Sequence, residues 1–203
     1  RNKQLQDMKK DSATVVVDML YDFIDGSLAC IGGEEAVEET RKFLEKNLEG
    51  EGDAAVEILD TKPVLFIRDH HPADHSSFKD FGGIWPAHCV AGTRGGEIHE
   101  KLLPFVNEDL TFDKGCERAV EQYSGFDGRN AAGQPLGEVL SLMDIKTVYV
   151  CGIATEYCVR STCEDLLKAG FKVQLLKDCL AYVNEEGHRK ALEEMAAEGI
   201  ELV

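Results

Sequence analysis

The sequence predicts an α/β protein built on an open, mostly parallel, doubly wound sheet with helices on both faces. Short β-branched runs read as strands buried on both faces, and charged stretches with sparse apolar residues between them read as surface helices. Acid, lysine and thiol side chains fall just past several strand ends, the edge at which open α/β sheets bind ligands. The 203 residues, 43% apolar and 30% charged, suffice for the core of one such domain. They are too few for two, so residues 1–203 are read as a single domain.

The elements follow in order. Residues 14–18, Thr-Val-Val-Val-Asp, form a β-branched run ending in an acid and give the first strand. After a turn at Ile31-Gly32-Gly33, residues 34–48 set Val37, Phe43 and Leu44 among many charges, which suits a helix with one buried stripe. Residues 63–68 are a second buried strand ending at Asp69. From His70 to about Glu108 the pattern breaks into Pro, Gly and His-rich sequence. A loop of that length inside a compact domain is functional or disordered, and its aromatic content argues against a linker. A third strand is expected at 110–112, leading to Asp113-Lys114, and a fourth at 147–152. A helix at 156–167, a strand at 171–176, a helix at 185–197 and an edge strand at 200–203 complete the pattern. Asp18, Asp69, Lys114 and the turn from Gly152 to Cys158 thus converge on one crevice.

Composition narrows the function classes. Lys plus Arg total 22 against 38 Asp plus Glu, a net charge of -16 that repels nucleic acid and anionic lipid. The stretch 1–10 has no apolar signal-like core, and no run approaches the ~18 apolar residues of a spanning helix. The seven cysteines lie mostly in or beside apolar runs rather than in disulfide-scaffold spacing, which suits a reducing compartment. A soluble, cytoplasmic protein acting on a small molecule is expected, with self-association into a homo-oligomer left open.

Two constellations carry chemistry. Cys158 sits near a helix start, where backbone N–H groups favour a thiolate and can bind an oxyanion. Asp18, at the end of a buried strand, could accept the thiol proton and return it to a leaving amine. Lys114 would favour both thiolate and oxyanion. The second constellation is histidine-rich: four of the six histidines fall within residues 70–88. Asp69 and His71, two apart on an extended segment, point the same way, and His88 and His75 lie nearby. Carboxylate and imidazole ligands suit one divalent metal, zinc first, with iron or manganese as alternatives.

Ordered motifs join these residues: Val-Val-Val-Asp18-Met-Leu-Tyr-Asp-Phe23, Arg-Asp69-His-His71-Pro-Ala-Asp-His75-Ser-Ser-Phe, Trp85-Pro-Ala-His88-Cys, Lys114-Gly, Tyr123-Ser-Gly-Phe126 and Gly152-Ile-Ala-Thr-Glu-Tyr-Cys158-Val. From Val15 to about Ala181 the chain resembles the nicotinamidase/pyrazinamidase branch of the isochorismatase-like cysteine hydrolases. The resemblance implies a Rossmann-type sheet and a catalytic triad of Asp18, Lys114 and Cys158. It also implies a cis bond between Ile153 and Ala154, with the N–H groups of Ala154 and Cys158 at the oxyanion. The metal ligands would be Asp69, His71 and His88, with His75 at a position that varies between His and Glu. The substrate would be a pyridine carboxamide, nicotinamide and by extension pyrazinamide, converted to acid and ammonia through a thioester on Cys158. Phe23, Trp85 and Tyr123 match the aromatic walls of the family pocket, and Tyr157 adjoins the nucleophile. Two positions depart from the pattern: Leu20 stands where many members carry Gln, and Tyr157 where His is frequent. Both bear on pocket polarity.

Three other readings compete. Another cysteine amidase of the superfamily would act on a carbamoyl or ureido compound, but generally lacks the Asp-x-His and Trp-Pro-x-His set present here. A phosphoacceptor module would want paired acids after the first strand, yet Met19 follows Asp18. A non-catalytic zinc-binding protein would have no use for Cys158.

Overall fold

A computed structural model describes residues 11–48 and 62–203; the charged stretch 1–10 lies outside them. Six strands form one sheet: β1 (Ser12–Val17), β2 (Val64–Asp69), β3 (Thr111–Lys114), β4 (Thr147–Ile153), β5 (Lys172–Ala181) and β6 (Glu201–Leu202). Their order is β3-β2-β1-β4-β5-β6, and every adjacent pair is parallel. The chain starts in the middle, winds outward through β2 and β3, then returns to build β4, β5 and β6 on the other side. The order therefore reverses between β1 and β4, and the crevice of a doubly wound sheet opens at such a switch point.

Alternation along the strands sorts the core into two layers. On one face Val15, Val17, Leu65, Ile67, Phe112 and Val150 pack against three helices, α3 (Leu136–Leu142), α4 (Arg160–Lys168) and α5 (Glu185–Glu198). On the other, Val16, Phe66, Cys151 and Leu176 meet Val37 and Leu44 of α2 (Gly33–Leu48). The short α1 (Tyr21–Ile24) joins that second layer through Phe23 and Ile24. The ends of α5 are written in its sequence. The Asn184 side chain accepts from Gly187 N at 2.9 Å at its start, and Gly199 closes it in the left-handed conformation at φ 107.

The structure departs from expectation in places with local causes. α3 falls between the third and fourth expected strands, where the sequence pattern assigns no element, because its seven residues are too few to show a period. The long loop from 70 to 108 holds three short 3₁₀ turns, Lys79–Phe81, Arg94–Gly96 and Glu100–Phe105, which resemble no amphipathic pattern. β5 runs to Ala181, past the expected end at 176, because a register shift against β4 lets pairing resume at Leu180. The segment expected as a helix from 156 opens as a π-helical turn, Thr155–Val159, before α4 begins. Among the described residues no helix is long and apolar enough to cross a membrane.

Candidate active site

Four chain segments deliver the site's charges to the carboxyl edge of the sheet. Asp18, one residue past β1, takes a left-handed φ of 49 and is fully buried. Its Oδ1 accepts from Asp69 N at 2.8 Å, tying the end of β1 to that of β2. Its Oδ2 meets Lys114 Nζ at 3.0 Å as an ion pair but accepts no well-directed hydrogen bond, leaving an open acceptor beside the thiol. Lys114, the last residue of β3, also donates to Asp69 Oδ1, to Gln122 O at 3.3 Å and to Cys158 Sγ at 3.3 Å. Oxygen and sulfur atoms of Asp18, Asp69 and Cys158 lie within 4.8 Å of one another. The Ile153–Ala154 peptide bond, between β4 and the turn carrying Cys158, is cis.

Burial sets the protonation of this cluster. Desolvation and the facing Asp69 raise the Asp18 carboxyl to about 6, against the pull of Lys114. Burial works the same way on Asp69, but the Lys114 ammonium and His71 overcome it and hold that carboxyl well below the usual range. Burial opposes the charge on Lys114, and Asp18 and Asp69 more than restore it. The Cys158 thiol is pushed well above its ordinary value by burial, with Asp18 and Asp69 adding to the effect and Lys114 opposing it. The helix-start effect expected from sequence is thus outweighed. Cys158 rests as a thiol and needs a base, and Asp18 Oδ2 is the open one.

Beside this cluster Asp69, His71 and His88 bring ligand atoms within 4.8 Å of one another, all three residues buried. Each histidine has its other nitrogen engaged: His71 Nδ1 donates to Gly115 O at 2.8 Å, and His88 Nδ1 to Pro86 O at 2.8 Å. Those bonds fix the tautomers and turn both Nε2 lone pairs towards Asp69 Oδ2, at 3.3 and 3.9 Å. The donor set therefore fits a metal ion, with Asp69 shared between both clusters. Gly115 is required at its corner. Its φ is 65, and a Cβ there would lie 2.7 Å from His71 Nδ1.

His75, the fourth expected ligand, stands apart from the triad. Its Nε2 donates to Val120 O at 2.9 Å, so its Nδ1 is the acceptor for Ser77 Oγ at 2.7 Å. Its ring lies against that of His71 at 4.1 Å between centroids, but both nitrogens are committed elsewhere.

The two clusters open into a cavity that is partly open to solvent. Phe23, Trp85, Tyr123 and Tyr157 all line it, with Asp69, His88 and Cys158 at its polar end. Trp85 Nε1 donates to the Tyr123 hydroxyl at 3.2 Å, and the Tyr157 ring packs on both, at centroid distances of 5.2 and 5.6 Å. Phe23 also lines the cavity and packs on the His88 ring at 5.5 Å. The result is a slot with aromatic sides and polar groups at one end, suited to a flat heteroaromatic ligand.

Residues 12–203 match the family model described as the isochorismatase domain. The chain belongs to the isochorismatase family. It is 36% identical to the nicotinamidase/pyrazinamidase of Mycobacterium tuberculosis over 94% of this chain and 97% of that protein. It is 30% identical to the nicotinamidase of Escherichia coli, over 94% of this chain and 93% of the relative. Among solved structures it resembles the pyrazinamidase of Pyrococcus horikoshii in complex with zinc, with a TM-score of 0.82 and 36% identity over 95% and 98% of the two chains. The yeast nicotinamidase Pnc1p bound to the inhibitor nicotinaldehyde superposes with a TM-score of 0.79 at 26% identity, over 95% and 99%.

Some residues of this isochorismatase-family site gave no signal in the sequence. Gln122 accepts from Gly115 N through its side chain at 3.0 Å and from Lys114 Nζ through its carbonyl, so it holds the corner between the two clusters. Thr162 donates to Cys158 O at 2.6 Å and accepts from Gly125 N at 2.9 Å, joining the turn of Cys158 to the segment that carries Tyr123. Glu121 lines the cavity, and burial with the nearby Asp69 raises its carboxyl. Glu121 and Gln122 sit in an aperiodic polar stretch, where neither spacing nor composition marks them.

Proposed function

We propose that this amidohydrolase of the isochorismatase family hydrolyses nicotinamide to nicotinate and ammonia, with pyrazinamide as a second substrate. The observation that supports it is the meeting of Asp18, Lys114 and Cys158 with the Asp69, His71 and His88 set at one aromatic slot. The names of the full-length relatives point the same way.

The chain's own residues divide the work. The pyridine ring slides between Phe23 and the wall formed by Trp85, Tyr123 and Tyr157, with its carboxamide towards Cys158. Asp18 Oδ2 takes the thiol proton as Cys158 Sγ attacks the amide carbonyl carbon. Lys114 offsets the negative charge that develops, and the N–H groups of Ala154 and Cys158 take the oxyanion. When the tetrahedral adduct collapses, Asp18 passes its proton to the departing nitrogen, which leaves as ammonia, and Cys158 is left as a thioester. Water, deprotonated by Asp18, attacks that thioester; the acid leaves and the thiol is restored. One divalent metal held by Asp69, His71 and His88, zinc before iron or manganese, would supply Lewis-acid affinity for the ring nitrogen. For His75 to join them, it would have to give up Val120 O or Ser77.

Ammonia release from nicotinamide is the test, with wild type and Cys158→Ala assayed before and after chelation. Wild type should release ammonia, lose most activity on chelation and regain it with zinc, while Cys158→Ala stays inactive throughout. No release by metal-restored wild type, or full activity in Cys158→Ala, would sink the proposal. Release from a ureido compound in preference to nicotinamide would instead favour the carbamoyl-amidase alternative.

A further inference from the structure

We propose that Asp22 and Ser27, on the turn that follows β1, form a clamp that positions the metal ligand His88 and, through the Cys89 peptide, the ligand His71. The inference rests on the metal reading above. Neither residue faces the Asp69, His71 and His88 triad or lines the cavity, so both act through other groups.

The clamp grips His88 from both sides. Ser27 Oγ donates to Ala87 O at 2.6 Å, and Cys89 N donates to Asp22 Oδ2 at 2.9 Å. The peptides before and after the ligand are thus held by one turn about sixty residues away in sequence. That turn closes on itself, because Ser27 N donates to Asp22 Oδ1 at 3.3 Å and Leu28 N to Asp22 O at 3.0 Å. Phe23, next to Asp22, packs on the His88 ring and limits its rotation. The Pro86 carbonyl then takes Nδ1, and only Nε2 remains for a metal.

The second reach of the clamp runs through Cys89. This residue has a left-handed φ of 48, a conformation unfavourable for a side-chain-bearing residue. The charge-assisted bond from Cys89 N to Asp22 offsets part of that cost. Cys89 O, on the far side of the same α-carbon, accepts from His71 N at 3.0 Å, and Ala91 N returns a bond to His71 O at 2.8 Å. The segment after His88 is thus paired with His71, and the Asp22 bond holds one end of that pairing.

The packing around Asp22 leaves it one place to sit. A Cβ on Gly95 would overlap Asp22 Oδ2, and one on Gly26 would lie 2.6 Å from the Asp22 backbone and overlap Oδ1. Two glycines from different segments therefore make room for one carboxylate. A surface acid at a helix start would need neither.

The experiment measures zinc affinity by chelator competition for wild type, Asp22→Ala, Asp22→Asn, Ser27→Ala and His88→Ala, beside the melting temperature of each chelated protein. Partners that orient metal ligands contribute about tenfold to a hundredfold in affinity, so Asp22→Ala should weaken zinc by that factor. Asp22→Asn keeps an acceptor for Cys89 N and should recover most of the affinity. Ser27→Ala should lose a few-fold and, being an exposed single hydroxyl, should melt close to wild type. The nicotinamide KM of the zinc-restored variants should rise in the same order, with kcat at saturating zinc less affected. If His88→Ala abolishes zinc binding while Asp22→Ala and Ser27→Ala stay within twofold of wild type, the clamp is refuted and the metal reading stands. If His88→Ala binds zinc as wild type does, the metal reading fails and the clamp with it. An Asp22→Ala loss that Asp22→Asn does not rescue, matched by an equal loss of chelated stability, would make Asp22 a structural residue only. Should Asp22→Ala fail to fold, Ser27→Ala decides: unchanged zinc affinity overturns the proposal.

Discussion

Replacing Lys114 by Met keeps the length of the side chain and removes its charge from the most crowded point of the site. Lys114 is fully buried, with Nζ 3.0 Å from Asp18 Oδ2, 3.3 Å from Cys158 Sγ and bonded to Asp69 Oδ1. Removing one partner of a buried ion pair leaves an uncompensated charge and costs about 3–5 kcal/mol. Here two carboxylates lose their common counter-ion, so the upper part of that range applies to chelated protein near neutral pH. In a domain of this size each kcal/mol moves the melting temperature by roughly 2–4 °C, so a cost of about 4–5 kcal/mol is a fall of roughly 8–20 °C. The pH dependence carries the stricter test. Asp18 already sits at about 6 beside Lys114, and without the ammonium both buried carboxyls move up. Native pKa values above the unfolded value of about 3.9 mean that the native state binds more protons, so stability falls as pH rises. The gap between variant and wild type should therefore be smallest near pH 5 and widen towards pH 8, by urea titration of both chelated proteins at several pH values. A gap that stays constant or narrows with pH, or a variant as stable as wild type at pH 8, would refute the account of Lys114 as the counter-ion of both acids.

Two further outcomes follow from contacts around the site. Gly115→Ala places a methyl group against the His71 ring at a φ of 65, so it should cost ~1–2 kcal/mol in backbone strain and weaken zinc about tenfold by displacing His71; chelator competition with an unchanged zinc affinity would remove Gly115 from the ligand frame. His188 donates through Nδ1 to Thr155 Oγ1 at 2.9 Å and stacks on Tyr182, and burial lowers its pKa against the pull of Glu156 and Glu185. A histidine depressed in the native state contributes stability above its unfolded pKa of about 6.5 that is lost as pH falls below it. His188→Gln should therefore flatten the acid side of the stability profile in urea melts, and an acid limb as steep as that of wild type would exclude His188 as its source.

How much of this site could be read from the sequence depended on whether a residue's role is set by its own strand or by distant neighbours. Asp18, Asp69 and Lys114 were legible because each ends a short buried strand, and a parallel sheet gathers strand ends at one edge. The buried strands themselves were legible from β-branched runs, and α2 and α5 from charged stretches with one apolar stripe. Asp22, Ser27, Gln122 and Thr162 were not. Each acts through one or two hydrogen bonds to backbone far along the chain, and such bonds need only a polar atom at the right place, which leaves no period or composition to read. The resting state of Cys158 was illegible for another reason. Its proximity to a helix start is local, but the burial and the facing carboxylates that keep it protonated are tertiary. The ring nitrogens of His75 show the same limit: spacing brings the residue near the triad, and only the positions of Ser77 and Val120 decide where its lone pair points.

The two core layers explain why a polar cluster can survive at the centre of this sheet. Cys158 and Tyr123 belong to the layer built on α3, α4 and α5, whereas Phe23, Ala154 and Tyr157 belong to the layer under α2. The sheet lies between these layers, and residues of both meet at the cavity past the carboxyl ends of β1 and β4, where the strand order reverses. The cavity is that seam. Side chains there contact apolar groups of both layers but lie beyond the last backbone pairs of β1, β2 and β4, so their polar ends find partners in loop carbonyls and in each other rather than in the ladder. This also separates the two tasks of the site. Cys158 is held by Thr162 and Lys114, which do not line the cavity, while the aromatic wall at Phe23 hangs on the turn that carries Asp22 and Ser27. A change in that wall can alter the shape offered to a substrate without moving the sulfur, whereas a change in Asp69 touches both sides, because one of its oxygens pairs with Lys114 and the other faces His71 and His88.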